Sequence, residues 1–164
     1  MKICEEFYIN GEWVKPINEL KTLDVINPAT EEVFGRIALG DSADVDAAVD
    51  AAYEAFETFS LVSVDDRVAL LEKILEVYKG KYDEIAETIS SEMGAPIGLS
   101  KAAQAATGLG HFSTALETLK NYNFEEVKGS ALIRKEPIGV VGMITPWNWP
   151  INQISCKVGP AIAA

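Results

Sequence analysis

The chain has 164 residues, 48% of them hydrophobic and 24% charged, with a formal net charge of -11. That length allows one ordinary domain with its own core, and the composition is that of a soluble globular protein. The acidic balance disfavours nucleic acid and anionic membrane surfaces as partners, and no apolar run approaches the about 20 residues that a spanning helix needs.

The N-terminus, "MKICEEFYINGEW", lacks the apolar stretch of a signal peptide. The two cysteines, Cys4 and Cys156, are far apart and match no metal spacing, so the expected setting is a reducing one, the cytoplasm. "FYINGEWV" reads as a hairpin, with strand-forming residues on either side of Asn10-Gly11, a pair suited to a turn with positive φ at both positions. "LDVINPATEEVFGRIAL" reads as a second hairpin. Its turn is Asn27-Pro28-Ala29-Thr30, and Val25, Val33 and Ile37 are strand residues.

Helices follow. Asp41 or Ser42 caps a helix to about Phe59 whose apolar stripe is Val45, Ala48, Val49, Ala52, Phe56 and Phe59. Ser63 opens another, with Asp66 three residues on as a capping partner, a stripe from Val64 to Tyr78, and Gly80 at its end. A third runs from about Tyr82 to Met93 and stops at Gly94 and Pro96. A long helix rich in Ala and Gly covers roughly 97–121. Each glycine within it costs about 1 kcal/mol against alanine, so this helix must gain from close packing.

"SALIRKEPIGVVGMI" reads as extended, interrupted at Pro137. Its second half, "IGVVGMI", is apolar throughout, as in a parallel strand buried on both faces. After Pro150, "INQISCKVGPAIAA" reads as a helix in which the sequence ends. A buried parallel strand needs partners that the preceding segments do not offer, so the expectation is a truncated α/β protein.

The chemistry concentrates in "ITPWNWP", residues 144–150. A turn after a buried strand lies at the strand's carboxyl end, where ligands bind in open α/β sheets. Asn148 there offers an amide donor held between two tryptophans and two prolines, which suits stabilisation of a developing oxyanion; the alternative is an asparagine in a turn backed by two packed aromatics. Lys157 follows on the helix and can face the same site, although on its own it reads better as a solvent-facing lysine. His111, the single histidine, and Cys156 read as packed residues, with no carboxylate placed beside the former and only Lys157 near the latter. "GLGHFS" follows a helix and lacks the glycine pattern of a phosphate loop.

In order along the chain, these segments resemble the N-terminal third of an NAD(P)-dependent aldehyde dehydrogenase. "FYINGEWV" is similar to that family's opening hairpin. "VINPATEEVFGRIALGDSADVDAAVDAAYEAF" and "DDRVALLEKILEVYKGKYDEIAETISSEMGAP" are similar to the segments after it. "KEPIGVVGMITPWNWPINQISCKVGPAIAA" is the most specific match. "SLVSVDDR" departs from the family, where a Trp and a Glu-Arg pair are common.

The resemblance implies an α/β fold: β-hairpins, a helical segment and the start of a Rossmann-like cofactor domain, incomplete. Residues 1–164 would form part of a cofactor-binding domain, with about 122–137 in the oligomerisation hairpin of a homodimer or homotetramer. Asn148 would hold the oxyanion formed when a cysteine attacks an aldehyde. Ile144, Thr145, Pro146 and Trp147 would line the cleft for NAD or NADP, and Lys157 would play a supporting part. Val25, Ile26 and Glu92 would match a monovalent-cation site known in some members, with Glu92 in place of the more usual Asp. The nucleophilic cysteine, the general-base glutamate, the lysine for the adenine ribose and the glycine turn lie beyond position 164 in relatives. The expected function is therefore that of a fragment, inactive alone, of an enzyme oxidising an aldehyde to an acid through a thiohemiacetal and thioester. The alternatives are a non-enzymatic structural or oligomerising module, and two chains that complete one enzyme together.

Overall fold

Asn10 and Gly11 turn the chain at φ values of 52° and 81° in the computed structural model, which describes residues 1–164. They join β2 (Phe7–Ile9) to β3 (Glu12–Val14) in an antiparallel hairpin, with Tyr8 opposite Trp13 and their rings 5.2 Å apart. The second expected hairpin is also present, as β4 (Lys21–Asn27) and β5 (Glu32–Leu39). Its turn is held by Asn27, whose side-chain oxygen accepts from the Ala29 amide at 2.9 Å and whose carbonyl accepts from the Glu31 amide at 2.8 Å.

β1 (Lys2–Cys4) pairs in parallel with β5, giving the sheet order β1-β5-β4. The sequence reading did not find β1. Three residues are too few to display an alternation, and the partner lies more than thirty positions away.

α1 (Ser42–Phe59) begins at Asp41 with a reciprocal capping box to Asp44. Its expected apolar stripe is only partly covered: Ala52, Phe56 and Phe59 are half-buried, Val45 is 60% exposed, and the buried residue of this helix is Asp44. Periodicity reports that a helix has an apolar face; it does not say what lies against that face. α2 (Val64–Gly80) starts at Ser63, whose hydroxyl accepts from the Asp66 amide at 3.1 Å. α3 (Tyr82–Met93) stops at Gly94, at φ 73°. A Cβ at Gly94 would lie 2.7 Å from Pro28, so glycine is needed there for conformation and for space.

The long helix runs from Ile97 to Asn121 as expected, but in three parts. These are α4 (Ile97–Leu99), a π-turn (Ser100–Gln104) and α5 (Ala105–Asn121). A second small hairpin follows, β6 (Glu125–Lys128) with β7 (Ala131–Arg134), and the chain ends in α6 (Pro150–Ala163).

The core joins Leu71, Leu75 and Tyr78 of α2 to Phe112, Ala115, Leu116 and Leu119 of α5, with Ile151, Val158 and Ile162 of α6 packed on it. Each fully buried side chain of the larger kind contributes about 1.5–3 kcal/mol. Gly159 lets α6 approach α5 closely, because a Cβ there would stand 3.3 Å from that of Ala115.

One expectation fails outright. "IGVVGMI" forms no strand, and Ile138 and Ile144 are each 93% exposed. A strand is defined by its neighbours' hydrogen bonds. The apolar run is present, but nothing in these 164 residues pairs with it.

Candidate functional site

The turn at Asn148 is fixed from both sides. Pro150 is the first residue of α6, where its missing amide costs nothing and its ring sets the helical φ. It also disfavours the right-handed helical region for the residue before it. Trp149 takes neither that region nor the extended one that a following proline favours, and lies in the left-handed region at φ 54° and ψ 56°. That conformation costs a residue with a Cβ about 1–3 kcal/mol, so the turn persists because its surroundings hold it.

Those surroundings are traceable. The Trp149 carbonyl accepts from the Gln153 amide at 3.2 Å, closing the first turn of α6 over the strained residue. One turn in, Asn152 Oδ1 lies 2.7 Å from His111 Nε2 on α5. An amide oxygen only accepts, so the imidazole donates from Nε2. The Ser155 hydroxyl donates back to the Ile151 carbonyl at 2.6 Å, and Gly159 closes the contact between the helices. The rigid core thus carries α6, and α6 carries the turn.

Asn148 stands exposed on that turn, contiguous with Ile144, Thr145, Pro146 and Trp147, which are exposed as well. Trp147 is 80% exposed. The four residues assigned to a cofactor cleft and the one assigned to an oxyanion therefore share one stretch of accessible chain. Lys157 is less free. Its Nζ donates to the Gln153 carbonyl at 3.1 Å and lies 3.9 Å from Cys156 Sγ, folded back along its own helix. Cys156 is half-buried and Cys4 exposed, and both are unbridged.

His111 matches its reading as a packed residue, and its neighbour is an amide. Asn152 was not singled out from sequence. No local signal links two residues 41 positions apart.

Val25 and Ile26 flank a register shift in the β4–β5 ladder, a place where a bulge leaves a backbone group outside the regular pairing. The contact of Gly94 with Pro28 brings the end of α3, and with it Glu92, to that hairpin. No group of three or more His, Cys, Asp or Glu side chains is arranged to hold a metal, so side chains alone make no metal centre. No helix is long and apolar enough to cross a membrane.

Beneath α6, Tyr78 is buried and donates to the Ala105 carbonyl at 2.7 Å. Burial, aided by the neighbouring Tyr82, pushes its hydroxyl up to about 12.

Comparison with known proteins extends this geometry. The profile of the "Aldehyde dehydrogenase family" matches residues 13–164. A 3-succinoylsemialdehyde-pyridine dehydrogenase of a Pseudomonas species is 50% identical over 165 residues, covering 100% of this chain and 34% of that protein. The crystal structure of an aldehyde dehydrogenase from Bartonella henselae superimposes with a TM-score of 0.96 at 43% identity, covering 100% of this chain and 35% of that one. A mutant aldehyde dehydrogenase C from Pseudomonas syringae, solved with NAD+ and octanal, gives a TM-score of 0.96 at 44% identity, over 98% of this chain and 33% of that one. The chain spans about a third of the length of these relatives.

Proposed function

Since the chain belongs to the aldehyde dehydrogenase family, we propose that it supplies the oxyanion-binding turn of an enzyme that oxidises an aldehyde to a carboxylic acid with NAD(P)+. The observation that carries this reading is the Asn148 turn, stiffened by two prolines and a strained tryptophan and anchored through α6 on the core. A donor fixed in advance stabilises a developing negative charge without reorganising at the moment of reaction.

When a cysteine thiolate adds to the aldehyde carbon, the carbonyl oxygen takes up negative charge. The Asn148 side-chain amide donates a hydrogen bond to that oxygen. The cysteine, and the glutamate that later activates water for thioester hydrolysis, come from sequence beyond position 164 in relatives. These 164 residues are therefore inactive alone.

The residues present fit the cofactor. Ile144, Thr145, Pro146 and Trp147 are accessible, adjacent to Asn148 and committed to no sheet ladder. Several solved relatives, the Pseudomonas syringae enzyme among them, were crystallised with NAD+. NAD or NADP, when bound, would supply the hydride acceptor, and these four residues would help to hold it. Lys157, bonded back to the Gln153 carbonyl one turn earlier in α6, would play a supporting part. Backbone carbonyls at Val25 and Ile26, with Glu92, suit a monovalent cation, consistent with the register shift there.

Residues 1–164 would form part of the cofactor-binding domain. Residues 122–137 would belong to an oligomerisation hairpin, giving a homodimer or homotetramer. Every residue of β6 and β7 is exposed, Val127 at 76% and Leu132 at 60%. The same exposure favours a second reading, a structural or oligomerising module without enzyme activity, or two chains that complete one enzyme. Two free thiols suit the cytoplasm.

Spectrophotometric assay of the complete protein with NAD+ or NADP+ and a panel of small aldehydes separates these readings. Aldehyde-dependent reduction of the nicotinamide is expected. Its absence from a well-folded oligomer would favour the structural module.

A further inference from the structure

The helix from Ile97 to Asn121 changes its hydrogen bonding between Ser100 and Gln104. There the Ala105 amide reaches back five residues, to the Ser100 carbonyl. Such a π-turn is rare and concentrates where a structure has a use for it. Two tyrosines attend this one. The Tyr82 hydroxyl donates to the Lys101 carbonyl at 2.6 Å, and the Tyr78 hydroxyl donates to the Ala105 carbonyl at 2.7 Å.

The turn packs against α3. Ser100 is 0% exposed and Gln104 2% exposed. Ser100 Oγ and Gln104 Oε1 are buried without a hydrogen-bond partner among the protein's atoms. Four residues apart on a helix, the two side chains lie on one face. Ala86 of α3 and Ala105, next to Gln104 in the chain, are also fully buried. Orphaned buried polar atoms are costly. Holding one ordered water costs less than leaving two such atoms unpaired. An apolar occupant would satisfy neither atom, and an ion would need a counter-charge that neither side chain provides.

We propose that the π-turn holds one buried water molecule that bridges Ser100 Oγ and Gln104 Oε1, and that this hydrated turn sets the rotational phase of α5. The water donates to Gln104 Oε1 and shares a hydrogen bond with the Ser100 hydroxyl. Relaxing the turn to ordinary α-helical bonding would rotate everything after it by about 100°, one residue's step. Gly108 would then leave Tyr78 and Ile151, where only a glycine fits. His111 would leave Asn152. Both contacts seat α6, so the phase of α5 reaches the Asn148 turn.

Crystals of the complete protein, at a resolution that shows ordered water, test the proposal. Wild type should show one water within hydrogen-bonding distance of both atoms, and Gln104→Leu should lack it. Urea unfolding of Ser100→Ala, Gln104→Leu and the double variant adds a cycle. The midpoint shift of the double variant should be smaller than the sum of the single shifts, because either change alone already breaks the bridge. A dry contact in wild type, or a direct bond between the two side chains, overturns the proposal, as do strictly additive shifts. If Gln104→Leu fails to fold, the wild-type density alone decides.

Discussion

The α5–α6 pair and the stretch from Ile138 to Ile144 are both rich in apolar residues, yet they end in opposite environments. Phe112, Ala115, Leu116 and Leu119 are all buried. Their spacing makes one face of a helix, and a helix satisfies its own backbone before it meets anything else. Ile138 and Ile144 are almost fully exposed, because an extended segment satisfies its backbone only through neighbours. Local periodicity is enough to make a helix with an apolar face, and in α5 that face meets the core. The same hydrophobicity in a strand is only half of an instruction. The candidate turn sits at the junction, with an unpaired strand-like segment before it and a well-packed helix behind it.

Substitutions can break that contrast, the largest effect coming from the packed side. Leu71→Ala, at a fully buried position, should cost about 2–5 kcal/mol in urea unfolding of the chain, by lost transfer energy and the cavity left behind. A loss below 1 kcal/mol would show that the core is looser than described. Gly94→Ala should cost about 1–2 kcal/mol for the left-handed backbone alone, and more if Pro28 cannot move. On the unpaired side, Ile138→Ser should shift stability by less than about 0.5 kcal/mol in the 164-residue chain. A large loss there would mean that the segment is already packed.

Two titrations sharpen the same comparison. Burial raises the folded-state pKa of Tyr78 to about 12, so its contribution to stability is intact below the ordinary tyrosine range and is lost as pH rises through about 12. Tyrosinate absorbance should therefore show one tyrosine ionising late, together with unfolding. Tyr78→Phe should remove that late step. Asp41 behaves in the opposite sense. The side-chain hydrogen bond from Asn18, with that from the Ala43 amide, holds its carboxyl below the usual carboxylate range. Its contribution is present above that range and is lost as pH falls through the lowered value. Asp41→Asn should flatten the acid limb of the stability profile; an unchanged limb would remove Asp41 as its cause.

The first two hairpins, the caps at Asp41, Ser63 and Gly94, and the helices were legible because each is written in residues close together in sequence. Asn10-Gly11 needs no distant partner to turn. What escaped was long-range. β1 is visible only through β5, and Asn152 gains meaning only beside His111. The π-turn was hidden for another reason, since an Ala-rich helix has no residue that announces one extra residue per turn. At the site, Asn148 and its neighbours stood out through an unusual density of Trp and Pro, while the exposure of "IGVVGMI" ran against its apolar composition.

The central claim is that Asn148 is a pre-aimed oxyanion donor, and steady-state kinetics of Asn148→Ala in the complete protein test it most directly. The expected result is a fall in kcat of about 100-fold or more with an unchanged urea midpoint, the loss typical of one such donor. A folded variant that keeps near-normal kcat would contradict the role assigned to Asn148.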